Sequence, residues 1–305
     1  LKSVAGETRN LLVCDEGREQ VLMTLTKDSI AVVTGAASGI GRALALRLAR
    51  EGIAGLAISD VNADGLDETS QLIAGAEPGP PPNVSTHVVN VADLDQMRQF
   101  TSDVVAQHGR ATHLINNAGV SLAGTVEEVS IADIEWLMNI NFWGTVYGVK
   151  LFLPILRAQP AAHIVNVSSI FGMIAPPGNA AYSASKFAVR GFTEALRHEL
   201  AETNIAVSCV HPGGVITNIA KSSRVGENTD ASVKEKSTAL HAKASRTTAD
   251  EAAATIMRGI KRRTKRILVG TDARIIDALQ RTAPVGYFSV MDWLYGGEIS
   301  DLQKK

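Results

Sequence analysis

The chain has 305 residues, of which 45% are hydrophobic and 20% charged, and its net charge is −1. That balance supports a large folded core and excludes any general attraction for nucleic acid or an anionic membrane. No apolar run approaches the ~20 residues of a membrane-spanning helix, and two cysteines, Cys14 and Cys209, are too few for a disulfide framework, so a reducing cytoplasm is the expected compartment.

Residues 1–28 lack the basic start and apolar centre of a secretory signal and are expected to form an extension. A continuous apolar run over 29–34 predicts a buried parallel strand, which meets Gly35-Ala36-Ala37-Ser38-Gly39-Ile40-Gly41 and then a helical stretch. Strand, glycine turn and helix together bring backbone N–H groups and a helix N-terminus to a phosphate. A second strand over 56–59 ends at Asp60, about 20 residues past the glycines, where a carboxylate accepts hydrogen bonds from ribose hydroxyls. Residues 62–75 read as a helix capped by Asn62, and the proline-rich 77–82 as a surface loop. A strand over 84–89 ends at Asn90, and Asp93 caps a helix running to about His108.

A strand over 113–116 leads into Asn117-Ala118-Gly119, and one long helix is expected over 130–156, containing Asn139, Asn141 and Gly144. The strand over 163–167 delivers Ser168 and Ser169, and the small and apolar residues from Ala180 to Phe192 predict a helix. On that helix Tyr182 and Lys186 are four apart and share a face, so a phenol and a cation project together as a candidate proton-transfer pair. A strand over 205–210 follows, with Cys209 as a core thiol, and then His211-Pro212-Gly213. Residues 215–245 suit a mobile lid, 248–260 a helix capped by Thr248, 266–269 a last strand and 272–281 a short helix. The aromatics of 287–295 are expected to pack on a substrate mouth or on a neighbouring subunit.

Strand and helix alternate from Ile30 to Val210, which predicts an α/β fold with one doubly wound parallel sheet and ligands at the carboxyl ends of its strands. The polar groups of interest all fall at such ends. A satisfied strand-end role is expected for His211, and no His, Cys and carboxylate grouping has zinc spacing, so no metal is expected. The basic cluster over 258–266 sits at a helix end, where cations suit the macrodipole.

Thr34-Gly35-Ala36-Ala37-Ser38-Gly39-Ile40-Gly41, Asn116-Asn117-Ala118-Gly119, Ser169, Tyr182-x-x-x-Lys186 and Pro212-Gly213 stand in chain order, and as a set they resemble the short-chain dehydrogenase/reductase family. The resemblance spans about 29–269 and implies a single Rossmann-type domain over 29–270, with extensions over 1–28 and 271–305. It implies that Tyr182 is the general acid/base, that Lys186 holds the nicotinamide ribose and lowers the phenol pKa, and that Ser169, thirteen residues before Tyr182, binds the substrate oxygen. Asn141 resembles the asparagine that holds a water in the proton relay. Gly35, Ser38, Gly39, Ile40 and Gly41 resemble the phosphate-binding turn, and Asp60 the acid that selects NAD over a 2′-phosphorylated cofactor. Asn90 and Val91 fall on the adenine side, Asn117, Ala118 and Gly119 on the ribose side, and Pro212, Gly213, Val215 and Thr217 at the nicotinamide amide.

The activity so implied is hydride transfer between NAD and a small-molecule alcohol or carbonyl, in a homodimer or homotetramer. A mouth formed by Phe142, Trp143, Ile170, Phe171, Met173 and Ile174 points to a lipophilic substrate of steroid, retinoid or fatty type. Two alternatives stand beside it: an NADPH-dependent ketoacyl reductase, which Asp60 opposes, and a non-enzymatic dinucleotide sensor, in which a decayed site is expected.

Overall fold

A computed structural model describes residues 25–75, 81–227, 229, 235, 238–239, 242–243, 245–294 and 297. Most of the N-terminal extension and of the proline loop therefore lies outside the described residues. The central sheet is built from β1 (Ile30–Thr34), β2 (Gly55–Asp60), β3 (Asn83–Val88), β4 (His113–Asn116), β6 (Ala162–Val167), β7 (Ile205–Pro212) and β11 (Arg266–Val269). Its order is β11-β7-β6-β4-β1-β2-β3, and every pairing is parallel. The expected doubly wound sheet is thus the observed one.

Strand alternation sorts the core into two layers. Ala31, Val33, Ile115 and Val165 face one side of the sheet, while Val32, Leu114 and Ile164 face the other. The period of two places successive side chains on opposite faces, and helices cover both, so the strand centres are apolar on both sides. On the first face lie α1 (Gly39–Arg50), α2 (Ala63–Ala74) and α7 (Ala249–Lys261). On the second lie α3 (Leu94–His108), α5 (Gly144–Arg157) and α6 (Ala180–Glu199). The expected caps are made: Asn62 accepts from Gly65, Asp93 from Asp95 and Gln96, and Thr248 and Glu251 form a reciprocal capping box. Each such cap contributes about 1 kcal/mol.

The strand order reverses between β1 and β4, whose carboxyl ends open a crevice. The site is found there, as expected for sheets of this kind.

The structure departs from the sequence reading in three places. The long helix over 130–156 is instead α4 (Ile131–Met138), a π-helical turn over Asn139–Trp143, and then α5. The turn inserts a residue into the ladder, and Asn141 within it is buried with its side chain clamped to a neighbouring segment. The lid segment is tied down early. β8 (Val215–Ile216) pairs with β10 (Thr247–Thr248), and β5 (Leu122–Ala123) pairs with β9 (Arg224–Val225). Arg224 binds Asp133 at 3.2 Å and lies 4.1 Å from the Trp136 ring centre. Much of 228–244 lies outside the described residues.

The third departure is a second C-terminal helix, where the sequence reading assigned only an aromatic stretch. Helices α8 (Thr271–Thr282) and α9 (Tyr287–Leu294) fold back on the turn that follows β6. Arg266 binds both Asp277 of α8 and the Met173 sulfur, and the Tyr287 hydroxyl accepts the Ala175 N–H at 3.0 Å. Met291 is buried against Ile170, Met173 and Ile174. The aromatic segment does pack beside the mouth, as expected, although Trp293 remains 78% exposed.

Candidate active site

The glycine turn is held by close backbone approaches. Gly35 and Gly39 have φ of +68° and +55°, conformations that favour glycine. A Cβ on Gly41 would lie 2.0 Å from the Gly35 carbonyl oxygen, so α1 meets β1 at a distance only glycine permits. Asn117 braces this turn by donating its amide to the Thr34 and Gly35 carbonyls at 3.0 and 3.1 Å. The Thr34 hydroxyl accepts the N–H groups of Asn117 and Ala118 in return, both at 3.1 Å.

Ser38 stands at the N-cap of α1 without a capping hydrogen bond, and no acid lies in the first turn. The first N–H groups of a twelve-residue helix are therefore left for an anion. Asp60, at the end of β2, accepts from the Ala37 N–H at 3.0 Å and the Asn62 N–H at 3.1 Å. Its carboxylate is fixed beside the turn with acceptor capacity remaining on both oxygens. These residues fit the diphosphate and ribose of a dinucleotide. Beyond β3, Asn90 is exposed and accepts from Ala92, while Val91 is buried against Gly144.

The second half of the crevice is chemical. Tyr182 and Lys186 lie on one face of α6, with the ammonium 5.8 Å from the phenol ring centre. Both are buried. Ser169 follows β6 and caps a short 3₁₀ turn over Ile170–Gly172, its hydroxyl accepting from Phe171 and lying near enough to Tyr182 to draw its pKa down. Ser168 points elsewhere: its hydroxyl donates to the Lys186 carbonyl at 2.8 Å and fastens α6 to the sheet. The two neighbouring serines thus have different surroundings.

Lys186 donates to the Val167 carbonyl at 3.2 Å, and burial brings its pKa down to about 8. The phenol departs from expectation. Burial raises the Tyr182 pKa, and the Ser169 hydroxyl opposes that only in part. Desolvation sets the direction, against the lowering expected from Lys186.

Asn141 is buried, and its side chain is fully engaged: Oδ1 accepts from Val120, and Nδ2 donates to the Val120 carbonyl and to Ser185. Gly119 lies in the same corner, where a Cβ would stand 3.2 Å from both Lys186 Nζ and Asn141 Oδ1. His211 is held at Nδ1 by the Ser169 carbonyl at 3.1 Å, while its Nε2 has no protein partner. Burial lowers its pKa to about 4, so the ring is neutral and acts as a support under Ser169. The expected satisfied histidine is thus satisfied at one nitrogen. Cys209 is buried, and its thiol is pushed up to about 12, which makes it inert.

A cavity of about 250 Å³ joins these groups, lined by Ile40, Asn117, Gly119, Ser169, Tyr182, Lys186, Pro212, Gly213, Val215 and Thr217. Of the sequence-derived mouth residues, only Ile170 and Phe171 line it. Phe142 and Trp143 pack on each other at the start of α5, with Trp143 43% exposed, and Met173 and Ile174 are buried in the core behind it. The apolar wall comes instead from Ile219, Ala220, Ile276 and Met291, and the cavity also meets Asp272. Ile219 and Ala220 fall in the expected lid and Met291 in the segment expected at the mouth, whereas Ile276 was missed because nothing in a helical pattern tells which distant element closes a cleft. Among the described residues, no three His, Cys, Asp or Glu side chains come together as a metal site.

Comparison with known proteins gives consistent results. Residues 29–228 match a family model described as short chain dehydrogenase. An oxidoreductase named SadH from Mycobacterium tuberculosis is 41% identical over 273 residues, covering 87% of this chain and 94% of that protein. Dehydrogenase/reductase SDR family member 7B of Xenopus tropicalis is 31% identical over 271 residues, covering 87% and 85%. A short chain dehydrogenase/reductase from Burkholderia phymatum, solved in complex with NAD, superposes with a TM-score of 0.77 at 30% identity, covering 85% of this chain and 95% of that one.

Proposed function

Since this chain belongs to the short-chain dehydrogenase/reductase family and is an oxidoreductase of that type, we propose that it moves a hydride between NAD and a lipophilic alcohol or carbonyl compound. The observation that carries the reading is the meeting of Ser169, Tyr182 and Lys186 in one cavity that opens onto the glycine turn. A bound NAD would supply the hydride acceptor or donor. Everything else falls to the chain. The N–H groups at the start of α1, with Gly35, Ser38, Gly39, Ile40 and Gly41, hold the diphosphate, and Asp60 accepts from the adenosine ribose. Asn90 and Val91 border the adenine. Asn117, Ala118, Gly119 and Lys186 hold the second ribose, and Pro212, Gly213, Val215 and Thr217 hold the nicotinamide amide.

In the oxidative direction Ser169 Oγ and Tyr182 Oη bind the substrate oxygen, and Tyr182 takes its proton. In reduction Tyr182 returns it. Asn141, with both side-chain polar atoms engaged, contributes through its main-chain carbonyl, which already accepts from Thr145 at 3.1 Å and keeps a second lone pair for a water.

NAD is preferred because the Asp60 carboxylate repels a 2′-phosphate. Titration followed by nicotinamide fluorescence is expected to give at least about tenfold tighter binding of NADH than of NADPH, and Asp60→Ala to narrow the gap. Tighter NADPH binding by the wild type would overturn this choice.

The cavity wall of Ile170, Phe171, Ile219, Ile276 and Met291 supports a lipophilic substrate. In a panel of secondary alcohols followed at the absorbance of reduced nicotinamide, hydrophobic members are expected to show the higher kcat/KM. A preference for sugars or hydroxy acids would sink the assignment. Residues 29–270 serve as the catalytic domain, and the exposed Trp143 in the turn before α5 and Phe187 on α6 support self-association as a homodimer or homotetramer.

A further inference from the structure

The turn after β7 is held from a part of the chain beyond the residues the family model matches. Asp272, the second residue of α8, accepts the Gly214 N–H on Oδ2 at 2.6 Å. A Cβ on Gly213 would lie 2.1 Å from that same oxygen, and one on Gly270 would lie 2.3 Å from Oδ1. The carboxylate thus fills a slot bounded on two sides by glycine backbone.

Gly270 needs its glycine in any case, with φ at +94°, but Gly213 is not among the residues with positive φ. Backbone conformation therefore does not demand glycine at 213. The close approach of Asp272 does. An acid in the first turn of a helix is common and contributes modestly through the macrodipole. That accounts for the charge on α8 but not for the fit in the slot or the bond to Gly214. Asp272 also borders the cavity shared by Pro212, Gly213, Val215 and Thr217.

We propose that Asp272 is a positioning residue for the cofactor: its carboxylate fixes the turn at Gly213 and Gly214 so that the 212–217 segment presents the right geometry to the nicotinamide end. The proposal rests on the dinucleotide reading above. Through this strut the C-terminal helices set cofactor affinity as well as walling the cavity.

Three variants test it by NADH fluorescence titration, steady-state kinetics and thermal unfolding. Asp272→Ala is expected to raise the NADH dissociation constant and the KM for NAD about tenfold, with kcat within about threefold, the size of one lost charge-assisted hydrogen bond. Asp272→Glu keeps the charge on the first turn of α8 but is too long for the slot, so it should lose affinity likewise. A role in the helix dipole alone would leave Glu equal to wild type. Gly213→Ala should weaken NADH binding strongly in the wild-type background and much less beside Asp272→Ala, because the clashing oxygen is then gone.

Wild-type affinity in both Asp272 variants, or equal damage from Gly213→Ala in both backgrounds, overturns the proposal. If Asp272→Ala does not fold, the Glu variant decides. A wild-type chain that binds neither NADH nor NADPH removes the dinucleotide reading, and the proposal with it. Wild-type binding that the variants leave untouched removes the proposal alone.

Discussion

Tyr182→Phe is expected to lower kcat for alcohol oxidation about a thousandfold while leaving the NADH dissociation constant within about twofold. The substitution removes a single oxygen. The ring keeps its edge contact with Phe171 at 5.9 Å and its place beside Leu122, Val129 and Leu137, so the fold and the cofactor crevice stay intact. Ser169 keeps its bond to the Phe171 N–H, so little stability is lost. What disappears is the proton acceptor.

The pH dependence follows from the environment of the phenol. Burial holds the Tyr182 pKa above its ordinary value, so the proton-accepting phenolate is scarce at neutral pH and oxidation should accelerate as pH rises. Lys186 limits the gain from the alkaline side. Its pKa, brought down to about 8 by burial, means the ammonium loses its charge below the range in which the phenol gains one. The kcat/KM profile of the wild type should therefore climb and then level or fall, and the climb should be absent in Tyr182→Phe. Turnover retained within tenfold, or an unchanged climb, would move the proton role to another group.

Gly41→Ala carries the other large expected effect. Its Cβ would stand 2.0 Å from a backbone oxygen at Gly35, and backbone cannot rotate away as a long side chain can. Either α1 withdraws from β1 or the turn opens. Asn117 bridges the two carbonyls of that turn, so its bonds are strained with it. A stability loss of about 2–3 kcal/mol is expected, together with at least a tenfold weaker NADH affinity, because the N–H groups at the start of α1 leave their line. Gly52→Ala is the control: its φ is +70° but no atom lies near its would-be Cβ, so it tests backbone strain without a clash. Equal NADH affinity in wild type and Gly41→Ala would show that the close approach is not what shapes the phosphate turn.

Much of this was legible in the residues themselves. A parallel strand buried on both faces favours a continuous apolar run, so β1 stands out without any structure, and the glycines between β1 and α1 mark the crevice. Tyr182 and Lys186 announce a shared face through helical spacing alone. Other features had no local signal. Asn139-Ile140-Asn141-Phe142-Trp143 is compatible with ordinary helix, and only the tertiary bonds of Asn141 to Val120 and Ser185 betray the π-helical turn. Phe142 and Trp143, expected at the mouth, do not line the cavity: Phe142 packs on Phe192 of α6 and Trp143 is partly exposed. The phenol pKa was misjudged for a related reason: a neighbouring cation is visible in sequence, whereas the depth of burial is not. Asp272 was the least visible, an ordinary acid at the start of a short helix some sixty residues past the turn it meets.

The two C-terminal helices give the cavity walls drawn from two separate stretches of the chain. Proton-transfer groups come from β6 and α6, inside the span shared with the family model, whereas Ile276 and Met291 come from 271–294, outside it. Mutation can therefore reshape what enters the cleft without disturbing how a proton leaves it. Two relatives with the same tyrosine, serine and lysine could part company in diet through this short stretch alone.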